Sequence, residues 1–200
     1  MTLCWRDILG RVLIAGLVYG FLVGVAYAGP PADLIQRLAD RAAPILNDDS
    51  LAAPERANRM RDVLRAAMDR QKMAPALLGR YWRRANAGQQ AELTDLLEAY
   101  LVNSYASRVD SIDGDVSFSV GGERDLGDRV MVDSQVIRPS GPPVSVTWQV
   151  EDGSNGPAVT DIVVEGVSLI VSQRADFASV IRQQGGIDGL IRLLQQKVGQ

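Results

Sequence analysis

Two hundred residues, 46% of them apolar, are enough for one domain with its own core. The net charge of −3, with both signs interspersed, argues against a nucleic-acid partner and against strong attraction to an anionic membrane surface. No histidine and a single cysteine, Cys4, exclude Ser-His-Asp and Cys-His nucleophile systems and zinc sites built on those ligands.

Arg6 and Arg11 precede an almost wholly apolar run, Val12–Val25, and Ala26-Tyr27-Ala28 offers small residues at a cleavage point. This pattern predicts a secretory signal peptide over 1–28, cut after Ala28, and a single domain over 29–200. The alternative is an uncleaved anchor, for which the run is short. Cys4 lies before the apolar run, which argues against a lipoprotein, and its removal leaves a chain without cysteine.

From Pro31 to Leu46, Leu34, Ile35, Leu38, Ala42 and Ile45 recur at helical spacing, and Asn47-Asp48-Asp49-Ser50 ends the run. A second helix is expected from about Pro54 to Lys72, with Ala57, Met60, Val63, Leu64, Ala67 and Met68 inward. Its arginines, Arg56, Arg59, Arg61, Arg65 and Arg70, read as a solvated face or as a docking surface for an acidic partner. A third helical segment, Met73–Ala87, is interrupted near Pro75 and Gly79, and a turn is expected at Asn86-Ala87-Gly88. The longest helix runs from Gln89 to about Val109 on the stripe Leu93, Leu96, Leu97, Tyr100, Leu101 and Tyr105.

Beyond Val116 the period changes to two. Strands are expected at Val116–Val120, Arg129–Ile137, Val144–Val150 and from Val159, separated by turns rich in Gly and Pro. Ile162 and Val164 share one face of the last strand, whereas after Gly166 the apolar set is Val167, Leu169 and Val171. A one-residue phase shift at a glycine predicts one long strand, bulged or bent there, so Gly166→Val is expected to impair the protein. A helical tail, Arg174–Lys197, follows. The class is α+β: a curved antiparallel four-stranded meander covered on its concave face by N- and C-terminal helices.

Chemistry-bearing residues are few. Asp133 and Asp161 are candidate bases if they point inward, but the alternation places them opposite Val132 and Ile162, toward solvent. Asp110, Asp113 and Asp115 lack the glycine and terminal glutamate of an EF-hand and read as a solvated turn. There is no GxGxxG or P-loop, and neither a metal nor a cofactor is expected. What remains is apolar volume, which periodicity alone reads as a solid core or as a pocket.

Leu78-Gly79-Arg80-Tyr81-Trp82-Arg83, followed by Gln89, Leu97, Leu101 and Tyr105-Ala106, resembles the first signature of the MlaC family, also called toluene-tolerance auxiliary proteins. Gly166-Val167-Ser168-Leu169, then Arg174, Phe177, Gly186, Asp188, Gly189, Leu190 and Leu194, resembles the second, and Pro143–Trp148 fits the strand between them. The resemblance implies a cystatin/NTF2-like α+β fold. It also implies a periplasmic phospholipid carrier between inner and outer membranes, supporting outer-membrane lipid homeostasis. The implied partners are an inner-membrane MCE-domain ring with an ABC transporter and an outer-membrane lipoprotein complex.

Two departures bear on cargo: Leu97 stands where the family often has an aromatic residue, and Gly156-Pro157-Ala158 stands where it often has a Trp. A hopanoid-associated, HpnM-like branch shares the signatures, so a hopanoid is an alternative cargo, and a lipid-acting enzyme using Asp133 or Asp161 is another alternative. The expected lipid-binding residues on the helices are Leu78, Tyr81, Trp82, Leu93, Leu97, Leu101 and Tyr105. On the sheet they are Val132, Val136, Val146, Trp148, Val150, Ile162, Val164, Val167 and Leu169.

Overall fold

The computed structural model describes residues 30–107 and 115–199. The expected signal peptide and its cleavage point after Ala28, the end of the long helix toward Val109, and Asp110 and Asp113 lie outside these residues. Among the described residues, no helix is long and apolar enough to cross a membrane.

Four helices come first: α1 (Pro30–Leu46), α2 (Ala53–Ala67), α3 (Arg70–Leu78) and, after a 3-10 helix at Gly79–Arg84, α4 (Ala87–Ala106). Five strands follow: β1 (Ser117–Asp125), β2 (Val130–Ile137), β3 (Val144–Gly153), β4 (Gly156–Val164) and β5 (Val167–Ser168). The chain ends with α5 (Leu169–Gln183) and α6 (Gly186–Val198). Each strand pairs antiparallel with its neighbour in chain order, which is the expected meander with a two-residue fifth strand added.

Local chemistry sets the helix limits. Asn86 and Gln89 form a reciprocal capping box at the start of α4, so the expected turn there is the first step of the helix. The helix expected to run to Lys72 stops at Ala67. Met68 turns extended and forms a parallel bridge to Val159, and Asp69 then caps α3 by accepting from the amides of Gln71 and Lys72. The expected single tail is two helices, parted at Gly185-Gly186, which both have positive φ. Gly189 lets α6 fold back against the end of α5: a Cβ there would lie 1.8 Å from the Gln184 carbonyl oxygen.

The long bent strand expected through Gly166 is instead a hairpin. Glu165 (φ 49°) and Gly166 (φ 81°) reverse the chain, and Val163 and Val164 pair with Ser168 and Val167. Two positive φ values in a two-residue loop are the hairpin geometry that follows strand twist. A reversal changes the phase of a period-two pattern just as a bulge does, so periodicity cannot separate them. A valine at Gly166 remains strained by φ alone, since a Cβ there meets nothing within 4 Å. The register shift of β4 lies elsewhere: Asp161 opposes Gln149 while Val159 opposes Val150, which leaves Thr160 as the extra residue.

Two cores result. On the sheet side, Ile35, Leu38, Met60 and Val63 of α1 and α2 pack with Val116, Val132, Val150 and Val159. On the helix side, Leu77, Leu78 and Tyr81 pack with Leu93, Leu97 and Leu101 of α4, Phe177 and Ile181 of α5, and Leu190 and Leu194 of α6. The N-terminal helices therefore do most of the covering of the sheet. Of the C-terminal pair, α5 reaches β4 and β5, while α6 packs on α4 and α5.

Candidate functional site

The largest apolar hollow lies between α1, α2 and the inner face of the first three strands. Ile35, Leu38, Ala39, Ala42 and Leu46 of α1 face Met60, Val63, Leu64 and Ala67 of α2. Phe118 and Val120 of β1, Ser134 of β2, Trp148 of β3 and Tyr105 of α4 complete the wall. The cavity volume is about 190 Å³, and the empty space including its mouth is about 770 Å³. Three alanines among these larger residues leave the volume unfilled.

The polarity of this cavity is nearly nil. Trp148 Nε1 donates to Ser134 Oγ at 2.8 Å, and Ser134 Oγ donates to the Val146 carbonyl at 3.2 Å. Both polar groups of the two side chains are thus engaged with protein, and no ionisable carboxylate or cationic group lines the wall. A water inside would find few of the two to four partners it needs, whereas a hydrocarbon chain loses nothing by entering.

A smaller cavity, about 30 Å³, lies between α3, α4, β4 and the start of α5. Met68, Met73, Leu77, Leu101, Val159, Ile162, Leu169 and Ile170 supply its apolar wall, with Thr160, Asp161 and Gln173 beside them. Tyr105, in the last turn of α4, lines both cavities and stands between them.

The residues expected to bind lipid are divided by this arrangement. Trp148 and Tyr105 line the main cavity; Leu101, Tyr105, Ile162 and Leu169 line the smaller one. Val132 and Val150 are buried in the sheet-side core, Val136 packs against it, Val146 is buried, and Val164 is half-buried. Val167 is 57% exposed, because the hairpin turns it out of the sheet face it was expected to share. Leu78, Tyr81, Trp82, Leu93 and Leu97 belong to the helix-side core and touch neither cavity. The stripe of α4 packs on α2, α3 and α6, and of its residues Leu101 and Tyr105 reach the cavities.

Sequence reasoning missed the α1 and α2 walls together with Phe118 and Val120. The stripes of α1 and α2 were legible as inward faces. The available signal was the small residues in them, Ala39, Ala42 and Ala67, which hold a helix face back from its neighbour without filling the gap.

The carboxylates are committed elsewhere. Asp133 points outward, as the alternation predicts, accepting from Thr147 Oγ1 at 2.7 Å and Arg124 at 3.2 Å. Asp161 accepts from the amides of Ile162 (2.7 Å) and Ile170 (3.1 Å) and from Ser168 Oγ (2.5 Å), which pins the start of α5 to β4. Neither carboxylate reaches the main cavity. Among the described residues, no three His, Cys, Asp or Glu side chains are grouped to hold a metal.

The model of the MlaC protein family matches residues 36–196. Among solved structures, the fold resembles a phospholipid-binding protein from Ralstonia solanacearum that was determined in complex with a phospholipid. The TM-score is 0.71 and the identity 23%, over 84% of this chain and 96% of that one.

Proposed function

Because this chain belongs to the MlaC family, we propose that it is a periplasmic carrier that holds the acyl part of a phospholipid between α1, α2 and the sheet. The observation that carries this reading is the main cavity: large, open to the surface, and lined mostly by hydrocarbon, with the Trp148 indole N–H and the Ser134 hydroxyl already paired. The phospholipid bound by the structural neighbour supports the choice of cargo.

The mechanism is partition. Each methylene moved from water into an apolar wall contributes about 0.8 kcal/mol, so a free lipid is held back in its membrane and a bound one crosses water at little cost. The headgroup stays at the mouth, since the wall offers no partner for a buried phosphate. Delivery then depends on a difference in affinity between this cavity and the acceptor. The donor and acceptor in this reading are an inner-membrane MCE-domain and ABC-transporter assembly and an outer-membrane lipoprotein complex, and the apolar N-terminus serves as the export signal. Asp133 and Asp161, both held by local hydrogen bonds outside the main cavity, take no part in it.

Trp148 supplies the test. It lines the main cavity, while Trp82 packs against the helix-side core. With Trp5 and Trp82 both replaced by Phe, a phospholipid brominated along its acyl chain is expected to quench Trp148 fluorescence, and one brominated at the headgroup is not. Binding of the chain-brominated lipid without quenching would place the cargo elsewhere.

A further inference from the structure

The signature run Gly79–Arg84 touches neither cavity, so its arginines are unused by the carrier reading. We propose that the seam between this 3-10 helix and α5 is a docking face for the phosphate headgroups of a bilayer, beside the smaller cavity. The proposal rests on the carrier reading for its purpose, but its chemistry stands on separate residues.

Val171, Arg174, Ala178 and Arg182 follow one another at three- and four-residue spacing, so they share one face of α5. Arg174 reaches across the seam, donating from Nε and Nη2 to the Ala76 carbonyl at 2.8 and 2.5 Å. Arg80 donates to the Tyr81 hydroxyl at 3.1 Å, and its guanidinium carbon lies 5.0 Å from the centre of that ring. The hydrogen bond from Arg80 does most to hold the Tyr81 phenol below its ordinary pKa, and the nearby Arg182 guanidinium adds to it, although burial opposes the shift. Two guanidinium groups thus converge on one phenol, with a third at Ala76 and the exposed Arg83 and Arg84 just beyond.

Among the described residues, none of these five arginines has a carboxylate partner, whereas Arg59, Arg65, Arg70, Arg124 and Arg129 each have one. Guanidinium groups oriented by neutral oxygens keep their full charge and spare N–H donors, which suit phosphate oxygens. The seam also adjoins the smaller apolar cavity, of about 30 Å³. Leu77 and Gln173 line the smaller cavity and are the chain neighbours of Ala76 and Arg174. Val171 (62% exposed) precedes Arg174 by one turn on the same face of α5, and Val167 (57% exposed) lies in β5 just before that helix. Apolar side chains bared beside a cationic row favour a bilayer surface over an acidic protein, which would need only the charges. With a net charge of −3 on the chain, the attraction is local and falls as salt rises.

The test is flotation of the exported protein with vesicles of phosphatidylglycerol and phosphatidylethanolamine, with variants carrying the same N-terminus. Arg80→Gln with Arg182→Gln is expected to cut vesicle binding about thirtyfold at low salt. Val167→Ser with Val171→Ser weakens binding as well. Both variants should keep the wild-type content of extractable lipid, because neither pair lines the main cavity. Should the glutamine pair fail to fold by circular dichroism, Arg83→Gln with Arg84→Gln is read in its place. Vesicle binding equal to wild type in the folded arginine variants overturns the docking face. So does unchanged vesicle binding with lost binding to a polyglutamate peptide, which assigns the seam to an acidic protein. A wild-type protein that holds no lipid but binds vesicles through these arginines overturns the carrier reading and leaves the docking face standing.

Discussion

Asp69 ties the start of α3 to the β3–β4 loop with one carboxylate. Its Oδ1 accepts from the amides of Gln71 (2.9 Å) and Lys72 (3.4 Å) at the start of α3. Its Oδ2 accepts from the amide (2.8 Å) and hydroxyl (3.1 Å) of Ser154 in the β3–β4 loop. Partial burial pushes its pKa up, but the hydrogen bonds, those from Ser154 foremost, outweigh burial and leave it below the ordinary aspartate value. A carboxylate with a depressed folded-state pKa adds stability that is full above the unfolded-state value of about 3.9 and is lost as pH falls through the folded value. Asp69→Ala is therefore expected to cost about 1–2 kcal/mol at neutral pH. Urea midpoints measured on both proteins should converge as the solution is acidified below pH ~4. A gap that persists unchanged into that range would mean the charge is not what Asp69 contributes. At this scale the sequence was partly legible: alternation placed Asp133 outward, yet nothing in it announced the partnership of Asp69 with a loop 85 residues away. Such pairings are set by tertiary packing and leave no local period.

Among the elements, α1 does most to shape the main cavity, and its contribution depends on small side chains. Ala39 is buried and lines the cavity wall. Ala39→Phe should project a ring into open volume rather than into packed atoms, so the usual overpacking cost of about 1–3 kcal/mol is expected to be largely avoided. Lipid recovered per mole of protein should fall severalfold while the melting temperature stays near wild type. Unchanged lipid recovery would remove α1 from the binding site. Periodicity located this helix and its inward stripe correctly, as it did the stripe of α4 and the first three strands. What it could not do was assign each stripe its partner. The α4 stripe of Leu93, Leu97 and Leu101 looked like a pocket wall and proved to be the centre of the helix-side core, since a helix face reads the same whether it meets a helix, a sheet or a ligand. The Gly166 hairpin was obscured for a related reason: two quite different backbone paths produce one phase shift.

For the whole molecule, the fold places a packed helical core beside a sheet-side core that is left open. The helix-side core of α3 to α6 is closed with buried leucines and aromatics, including the edge-on contact of Tyr100 with Phe177 at 5.8 Å. This gives the open half a rigid support, with Tyr105 at the junction between them. The family signatures run through both halves, which is why the class could be read from sequence while most of the cavity wall could not: Leu78, Tyr81, Trp82 and Leu97 of the first motif build the support, only its end at Tyr105 reaches the main cavity, and the less distinctive alanines and leucines of α1 and α2 build much of the site. The central claim is that the open half exists to hold lipid. Native mass spectrometry of the exported protein, followed by denaturing extraction, tests it most directly. The predicted result is a mass increment released on denaturation, equal to a phospholipid and near one per chain. A hopanoid mass would keep the cavity and change the cargo. A protein that shows its bare mass under gentle conditions, and yields no stoichiometric lipid on extraction, would contradict the claim.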